Sequence, residues 1–164
     1  MEGRLRSMTS VYFTREDGVL CLLRIGSRIA NNKYVGAAGG PFEKEEVVSA
    51  RECVLREMRE ELGLTEEDLV GLHMKYITLR LKDGEVRQNY YFFARLREER
   101  ELTSNEGELR WVKWEELPEL NMPVSARHMI LHYAKTGRFD DKAYASIALS
   151  DNEGDAVFAE LREF

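Results

Sequence analysis

The sequence predicts an α/β protein in which helices cover a mixed β-sheet, an α/β/α sandwich. One segment has apolar residues every four positions, which indicates a helix, and another alternates apolar with polar residues, which indicates a strand. The elements follow the order strand, strand, loop and helix, hairpin strands, short strand, helix, as expected for such a sandwich. The length of 164 residues predicts a single domain, residues 1–164, with an enclosed core.

Composition restricts the classes of function. The formal net charge of −6 argues against a surface for a nucleic-acid polymer, although a bound metal ion would still let a small phosphorylated ligand bind. No apolar run approaches the roughly 20 residues that span a membrane, and the first ten residues lack a signal-peptide core. Cys21 and Cys53 lie in apolar segments, as reduced core cysteines do. We therefore expect a cytoplasmic protein that binds no membrane.

The first two predicted strands form a hairpin. Residues 8–14 and 19–25 are apolar runs, and an Asp-Gly pair between them is typical of a tight turn. Arg24 ends the second strand and Arg28 follows it. Each of these arginines either meets a ligand phosphate or is simply solvated.

A glycine-rich loop, residues 36–40, leads into an amphipathic helix predicted from about Glu45 or Glu46 to Leu62. Gly63 suits the position just past the end of this helix. The apolar positions of the helix are Ala50, Val54, Leu55, Met58 and Leu62.

Three glutamates crowd one side of this helix. Helical geometry places Glu57 and Glu61 close together beside the apolar stripe, and Glu60 within about a quarter turn of Glu57. Two acids that border a buried face repel one another, and a hard divalent cation such as Mg²⁺ or Mn²⁺ would offset their charge. The alternative is a surface helix held by ion pairs between residues four positions apart.

The second half of the chain supplies the remaining elements. Residues 74–82 alternate as in a strand with one buried face, and residues 86–96 are nearly continuous in apolar side chains, as in the middle strand of a sheet. Residues 109–112 predict a short strand and residues 123–135 a last helix. Residues 156–161 predict either a strand or a helix.

Two polar pairs in this half allow a functional or a structural interpretation. Gln88 and Asn89 either read the edge of a nucleotide base or bond to nearby backbone. His128 and His132 share a helix face with metal-ligand spacing, but no third ligand is evident, which favours a structural role.

The segment from Gly40 to Leu64 resembles the Nudix box, the signature of Nudix hydrolases. Its consensus is glycine, five residues, Glu, seven residues, and then Arg-Glu-hydrophobic-x-Glu-Glu-x-Gly-hydrophobic. Gly40 and Glu46 match the first part, and residues 56–64 match the last part without a gap. Nine residues, 47–55, separate the two parts instead of seven. Glu46 therefore either reaches the metal site or stands at the helix start, where an acid favours the helix dipole.

The resemblance implies a role for each box residue. Glu57, Glu60 and Glu61 would be the ligands of Mg²⁺ or Mn²⁺, and Gly39 would offer its backbone carbonyl to the metal. Arg56 would hold the loop and the helix together through an ion pair. Such a site hydrolyses a pyrophosphate bond, because the cation polarises a phosphoryl oxygen and generates a hydroxide nucleophile.

The general base that takes the proton from water is chosen from the acids near the box. Gly107 permits a turn that projects either Glu106 or Glu108 inward. We select Glu106, with Glu108 as the alternative, because Glu108 lies nearer the start of the strand, which would fix its position. In the other interpretation Glu106 and Glu108 are solvated loop acids without a catalytic role. Glu57 or Glu60 would then be the base. The candidate catalytic residues are Glu60, Glu106 and Arg56.

Residues 8–138 are further similar to a MutT-like bacterial branch described as 8-oxo-dGTP diphosphatase-like. This similarity rests on residues 76–80, 85–93 and 101–108 and on the longer spacer. It implies a small nucleoside di- or triphosphate derivative, such as an oxidised purine nucleotide, as substrate. Dinucleoside polyphosphates and nucleotide sugars fit the same site, and a homodimer is compatible with the sequence. A Nudix-fold sensor that binds nucleotides without cleaving them, or an isomerase of allylic diphosphates, would be a different class of protein.

Overall fold

The structure, a computed structural model, describes residues 3–26, 31–148 and 156–162. Within these residues the chain forms two α-helices and eight strands. The helices are α1 (Ala50–Leu62) and α2 (Val124–Lys135). The strands are β1 (Arg4–Arg15), β2 (Gly18–Arg24), β3 (Tyr34–Gly36), β4 (Leu69–Lys82), β5 (Glu85–Leu96), β6 (Gly107–Lys113), β7 (Ala143–Ala148) and β8 (Val157–Leu161). Neither helix has the length and apolar character needed to cross a membrane.

The eight strands form one mixed sheet in the order β3-β2-β1-β5-β4-β7-β8, with β6 paired to β2. The hairpins β1–β2, β4–β5 and β7–β8 are antiparallel, whereas β1 pairs with β5 and β4 with β7 in parallel. The strand β5 lies between β1 and β4, which confirms that the most apolar run occupies the middle of the sheet.

The core has two halves because alternate side chains of a strand point to opposite faces of the sheet. On one face Val11 and Phe13 of β1 pack with Val54 and Met58 of α1. On the other face Tyr12 packs in the cluster that contains Met129 and Ile130 of α2. All of these side chains are at most 1% exposed. The predicted α/β/α sandwich with a mixed sheet is therefore confirmed.

The predicted start of the first helix was wrong. A separate 3-10 turn spans Lys44–Glu46, and α1 begins only at Ala50. The Ser49 side chain caps α1 by accepting a hydrogen bond from the Glu52 backbone N–H at 3.2 Å. This break accommodates the long spacer of the Nudix-like segment. The end of α1 matches the prediction, because Gly63 adopts a left-handed φ of 67°.

Several strands differ from their predicted extent. β1 begins at Arg4 rather than Met8, because its charged first residues pair with β5. β4 begins at Leu69, and its pairing with β5 is irregular between Val70 and Tyr76. Long-range pairing produces both extensions, and local patterns do not record it.

The β4–β5 hairpin and the last strands of the chain can also be compared with the prediction. Asp83 and Gly84 both have positive φ, of 53° and 75°, which fits the predicted turn. In β4 Tyr76 and Thr78 are buried, whereas Leu81 on the apolar side of the alternation is 47% exposed. β7 was not predicted, and the segment 156–161 forms a strand rather than a helix.

Candidate active site

A cavity of about 470 Å³ lies where the glycine loop, α1 and the sheet meet. Strands β1, β4 and β5 form part of its wall, and the first turn of α2 adds Ser125 and Ala126. Glu57 and Glu61 of α1 line the cavity, and so does Glu106 from the loop before β6. The volume lies within the range typical of pockets for small-molecule ligands.

The glycine loop is pressed between β1 and α1. The Thr9 backbone N–H donates to the Gly40 carbonyl at 2.9 Å. A Cβ on Gly39, whose φ is +150°, would lie 2.2 Å from the Thr9 carbonyl oxygen. A Cβ on Gly40 would lie 2.4 Å from the Glu57 carboxylate. Position 39 therefore requires glycine, since a side chain there would clash with the backbone of β1, and a side chain at position 40 would displace the Glu57 carboxylate.

Glu57 and Glu61 share a crowded and partly dry environment. Glu57 is 7% exposed, and Glu61 accepts a hydrogen bond from the Gly39 N–H at 3.2 Å. Burial raises the pKa of Glu61 to about 7, and the negative charges of Glu57 and Glu106 act in the same direction. The Gly39 N–H and the Arg24 guanidinium oppose this rise. The positive charge near Glu61 is therefore not enough to keep the pKa of this carboxyl at its usual value.

Arg56 joins the glycine loop, the 3-10 turn and α1. Its guanidinium pairs with Glu46 at 2.6 Å, with Glu57 at 2.8 Å and with Glu60 at 3.1 Å. It also donates to the Pro41 carbonyl at 3.1 Å. The Arg56 side chain therefore fixes the position of the loop relative to the helix.

Glu46 lies outside the cavity wall and is 7% exposed. Its carboxylate accepts from the Glu43 backbone N–H at 2.9 Å, as a capping residue of the 3-10 turn. The hydrogen bond from Arg56 is the main reason why the pKa of Glu46 falls to about 2. Of the two alternatives, the structure places Glu46 at the helical turn and not at the acids of the cavity.

Glu106 and Arg24 form a second charged pair at the cavity. The Arg24 Nη2 lies 2.8 Å from the Glu106 carboxylate, and both residues line the cavity. Glu108 is exposed on β6 and is not part of the cavity wall. Arg28 lies outside the described residues.

The family model of the NUDIX domain matches residues 4–133, which is most of the chain. The chain belongs to the Nudix family. Comparison with curated proteins gives no match. Family membership makes the protein a Nudix pyrophosphohydrolase, in agreement with the signature between Gly40 and Leu64.

Solved structures share the fold. The chain is similar to a MutT protein from Bacillus halodurans, at 23% identity and a TM-score of 0.69, over 94% of this chain and 97% of that chain. It is also similar to a NUDIX hydrolase from Nitrosomonas europaea, at 15% identity and a TM-score of 0.68, over 92% and 82%. A C. elegans Ap4A hydrolase matches at 14% identity and a TM-score of 0.62, over 80% and 96%.

Nudix hydrolases use divalent metal ions, and the oxygen donors in the cavity fit such an ion. No group of three or more His, Cys, Asp or Glu side chains in the described residues forms a metal site by itself. Mg²⁺ is commonly bound by one or two carboxylates together with substrate phosphates. Glu57 and Glu61, crowded beside the Gly39 backbone, provide such an incomplete donor set.

The third Nudix glutamate lies apart from these two. The Glu60 side chain is 58% exposed, contacts Arg56 and does not line the cavity. The structure thus brings together Glu57, Glu61, Gly39 and Glu106, and it leaves Glu60 at the rim of the site. Its role as metal ligand and catalytic residue stays a prediction.

The structure gives different surroundings to the two polar pairs predicted in the second half of the chain, Gln88 with Asn89 and His128 with His132. Asn89 lines the cavity, whereas Gln88 faces the other side of β5 and accepts from the Ser7 hydroxyl at 3.3 Å. His132 bonds through Nδ1 to the Tyr76 hydroxyl at 2.7 Å and packs on Phe158. Asn89 is therefore placed to contact a ligand, and the half-buried His132 makes structural contacts with aromatic side chains.

Sequence reasoning missed a set of cavity residues on the sheet, namely Arg6, Tyr12, Arg80, Arg87 and Tyr91. The Tyr12 hydroxyl is buried and has no hydrogen-bond partner among the described residues. The hairpin turn at Asp83 and Gly84 could have revealed that Arg80 and Arg87 face each other. Nothing local reveals Arg6 or Tyr12, because β1 and β5 are far apart in the chain.

Proposed function

We propose that the protein hydrolyses a pyrophosphate bond of a small nucleotide derivative and depends on Mg²⁺ or Mn²⁺. One observation carries this proposal: Glu57, Glu61 and Glu106 line the same cavity as the glycine loop of the Nudix signature. Pyrophosphate hydrolysis needs a cation site, an activated water and a base, and carboxylates supply all three.

The residues of the chain have distinct roles in this proposal. Glu57 and Glu61 hold the cation together with the Gly39 carbonyl, and Glu60 joins them. When bound, the cation polarises a phosphoryl oxygen and lowers the pKa of water. Arg56 positions the loop against α1 through its contacts with Glu46 and the Pro41 carbonyl.

Glu106 is our proposed general base. Its carboxylate is near enough to Glu61 to affect the pKa of Glu61 and is oriented by Arg24 at 2.8 Å. The same arginine lies at the cavity wall and offers a guanidinium to a substrate phosphate. Glu108, the alternative base, is exposed and lies off the cavity wall, so we favour Glu106.

The substrate is a nucleoside di- or triphosphate derivative, with an oxidised purine nucleotide of the 8-oxo-dGTP type as the first candidate. The Asn89 amide and the unpartnered Tyr12 hydroxyl give the cavity hydrogen-bonding groups for a base or a sugar. Dinucleoside polyphosphates and nucleotide sugars are the alternatives within the same reaction class. A cytoplasmic location and a homodimer stay predictions.

The test is a phosphate- and product-release assay with Mg²⁺ on a panel of substrates. The panel holds nucleoside di- and triphosphates, oxidised purine nucleotides, dinucleoside polyphosphates and nucleotide sugars. We expect hydrolysis of at least one class. Tight nucleotide binding without hydrolysis of any member would instead indicate a sensor.

A further inference from the structure

Three arginines stand side by side across three neighbouring strands in the wall of the cavity. Arg6 of β1 is directly opposite Arg87 of β5, and Arg87 is directly opposite Arg80 of β4. All three line the cavity. We call these three residues the arginine ladder.

Such an arrangement is costly in a sheet, because like charges directly opposite one another are destabilising. Two residues further along each strand lie Arg4, Glu85 and Lys82, which are also paired with one another across the sheet. The Glu85 carboxylate pairs with Arg87 at 2.8 Å. Arg6 makes no hydrogen bond or ion pair with any described residue.

Composition does not account for the arginine ladder. The chain carries 30 acidic and 24 basic residues, so a chance cluster on its surface would more often be acidic. A cluster of guanidinium groups in the wall of a cavity therefore indicates a ligand with negative charge.

The arginine ladder lies at a distance from the acids of the box. Gly39 packs against Thr9 and Ser10 of β1, and Arg6 is three to four residues further along that strand. At about 3.3 Å per residue, this separation is roughly 10 to 13 Å. The cavity thus has an acidic end at the Nudix box and a basic end at the arginine ladder.

We propose that the arginine ladder binds a second phosphate group of the substrate, separated from the hydrolysed pyrophosphate by about the length of a nucleoside. This inference rests on the proposed function, which places the pyrophosphate at the acidic end. Within the reaction class of the proposed function, this inference favours a nucleoside diphosphate derivative that carries an additional phosphate monoester over a nucleoside triphosphate, which has no such group.

The chemistry of guanidinium groups favours a phosphate over an uncharged base at this position. Guanidinium groups bind phosphate oxygens in pairs of parallel hydrogen bonds, and a dianion offsets the repulsion among aligned cations. A neutral base accepts hydrogen bonds from one such group but leaves the charge of the others unchanged. A phosphate directly next to the scissile bond lies too close to the acidic end to reach Arg6.

The test compares substrates that differ by a single phosphate. Coenzyme A and 3′-dephospho-coenzyme A form one pair, and NADPH and NADH form another, and each member contains a pyrophosphate bond. The proteins are the wild type, Arg6→Gln, and Arg95→Gln as control. Arg95 is exposed on β5 and does not line the cavity. Hydrolysis is measured as kcat/KM with Mg²⁺, and binding is measured by calorimetry with Ca²⁺ in place of Mg²⁺.

We expect the phosphorylated member of at least one pair to be favoured by about ten- to hundredfold, in kcat/KM and in Kd. Arg6→Gln should reduce this preference to a few-fold, because it weakens the phosphorylated member far more than the unphosphorylated one, while Arg95→Gln should leave the preference as in the wild type. Equal or weaker binding of the phosphorylated member in both pairs would overturn the inference. If no panel member is hydrolysed, the proposed function fails, and the Kd comparison alone still decides the role of the arginine ladder.

Discussion

The two ends of the cavity carry opposite charges and are built in different ways. The acidic end is local: Gly39, Glu57 and Glu61 come from one loop and the helix that follows it, and Arg56 ties both together. The arginine ladder is assembled by strand register from β1, β4 and β5. The first end is organised by ion pairs within a short segment, and the second by the sheet.

This difference separates chemistry from recognition. At the acidic end the carboxylates crowd one another, and burial raises the pKa of Glu61, so a cation relieves the crowding. At the basic end three guanidinium groups lie side by side, and a ligand anion would reduce the repulsion among them. Changes at the acidic end should therefore stop turnover, while changes at the arginine ladder should alter only the choice of substrate.

Removal of the divalent cation should have the largest effect. We expect hydrolysis to vanish in excess chelator and to return with Mg²⁺ or Mn²⁺, because a guanidinium such as that of Arg24, which pairs with Glu106, cannot lower the pKa of a bound water as a divalent cation does. The measurement is the rate of phosphate release before and after metal is restored. Full activity in excess chelator would refute the metal site.

Glu61→Gln should lower turnover by orders of magnitude while the fold survives. Glu61 is crowded by the charges of Glu57 and Glu106, so removing its charge relieves repulsion and need not destabilise the apo protein. Turnover and thermal melting are measured together.

Glu60→Gln tests whether the third glutamate of the Nudix signature also binds the metal. The resemblance predicts a loss of the same order, although the Glu60 side chain is 58% exposed and contacts Arg56. Wild-type turnover of Glu60→Gln would confine the metal ligands to Glu57, Glu61 and the Gly39 carbonyl.

Glu106→Gln should lower turnover by about 10²- to 10⁴-fold, the usual contribution of a general base, with little change in metal affinity. Glu108→Gln is the matched control, because Glu108 is two residues away, exposed and off the cavity wall. It should retain turnover within a few-fold. If both variants keep wild-type rates across the pH range, the general base belongs to the Nudix box, and Glu57 or Glu60 is the next candidate.

The contrast between the two ends also explains what the sequence reveals. The acidic end was predictable, because helical periodicity places Glu57 beside Glu61 and the glycines precede them in the chain. The arginine ladder was not predictable from the sequence, because the pairing of Arg6 with Arg87 spans 81 positions and depends on the parallel contact between β1 and β5. Local patterns carry no information on such a pairing.

The same reasoning explains the errors inside the predicted elements. The predicted helix starts at about Glu45 or Glu46, whereas α1 starts at Ala50, directly after the Ser49 cap. The sequence pattern of β4 also did not reveal which of its two faces packs in the core. Tyr76 and Thr78 are buried there, and Tyr76 packs in the cluster that contains Met129 and Ile130 of α2.

Glu46→Gln should lower stability in a pH-dependent way. The pKa of Glu46 is lowered to about 2, chiefly by Arg56, so its charged form stabilises the folded state. This contribution is present above the usual glutamate pKa of 4.5 and is lost as the pH falls towards 2. We therefore expect Glu46→Gln to have a lower free energy of unfolding at pH 7, by roughly 1 to 3 kcal/mol.

Urea unfolding of the wild type and Glu46→Gln between pH 7 and pH 3 measures this difference. The difference between the two variants should shrink as the pH falls from about 5 to 3. A constant difference across this range would show that the Arg56 contact does not carry the effect. Loss of metal affinity in Glu46→Gln would instead place Glu46 at the metal site.

Ser49→Ala should have the smallest effect and should act on stability alone. The Ser49 hydroxyl accepts the Glu52 N–H at 3.2 Å, and loss of an N-cap acceptor costs about 1 kcal/mol. Because α1 carries Glu57 and Glu61 two to three turns further on, the helix stays in place and turnover should be unchanged. Urea unfolding and kcat measure the two effects, and Ser49→Asn, which retains a side-chain acceptor, should restore the stability. A drop in kcat without a drop in stability would show that the cap positions the acids, and the acidic end would then extend beyond the box residues to the start of the helix.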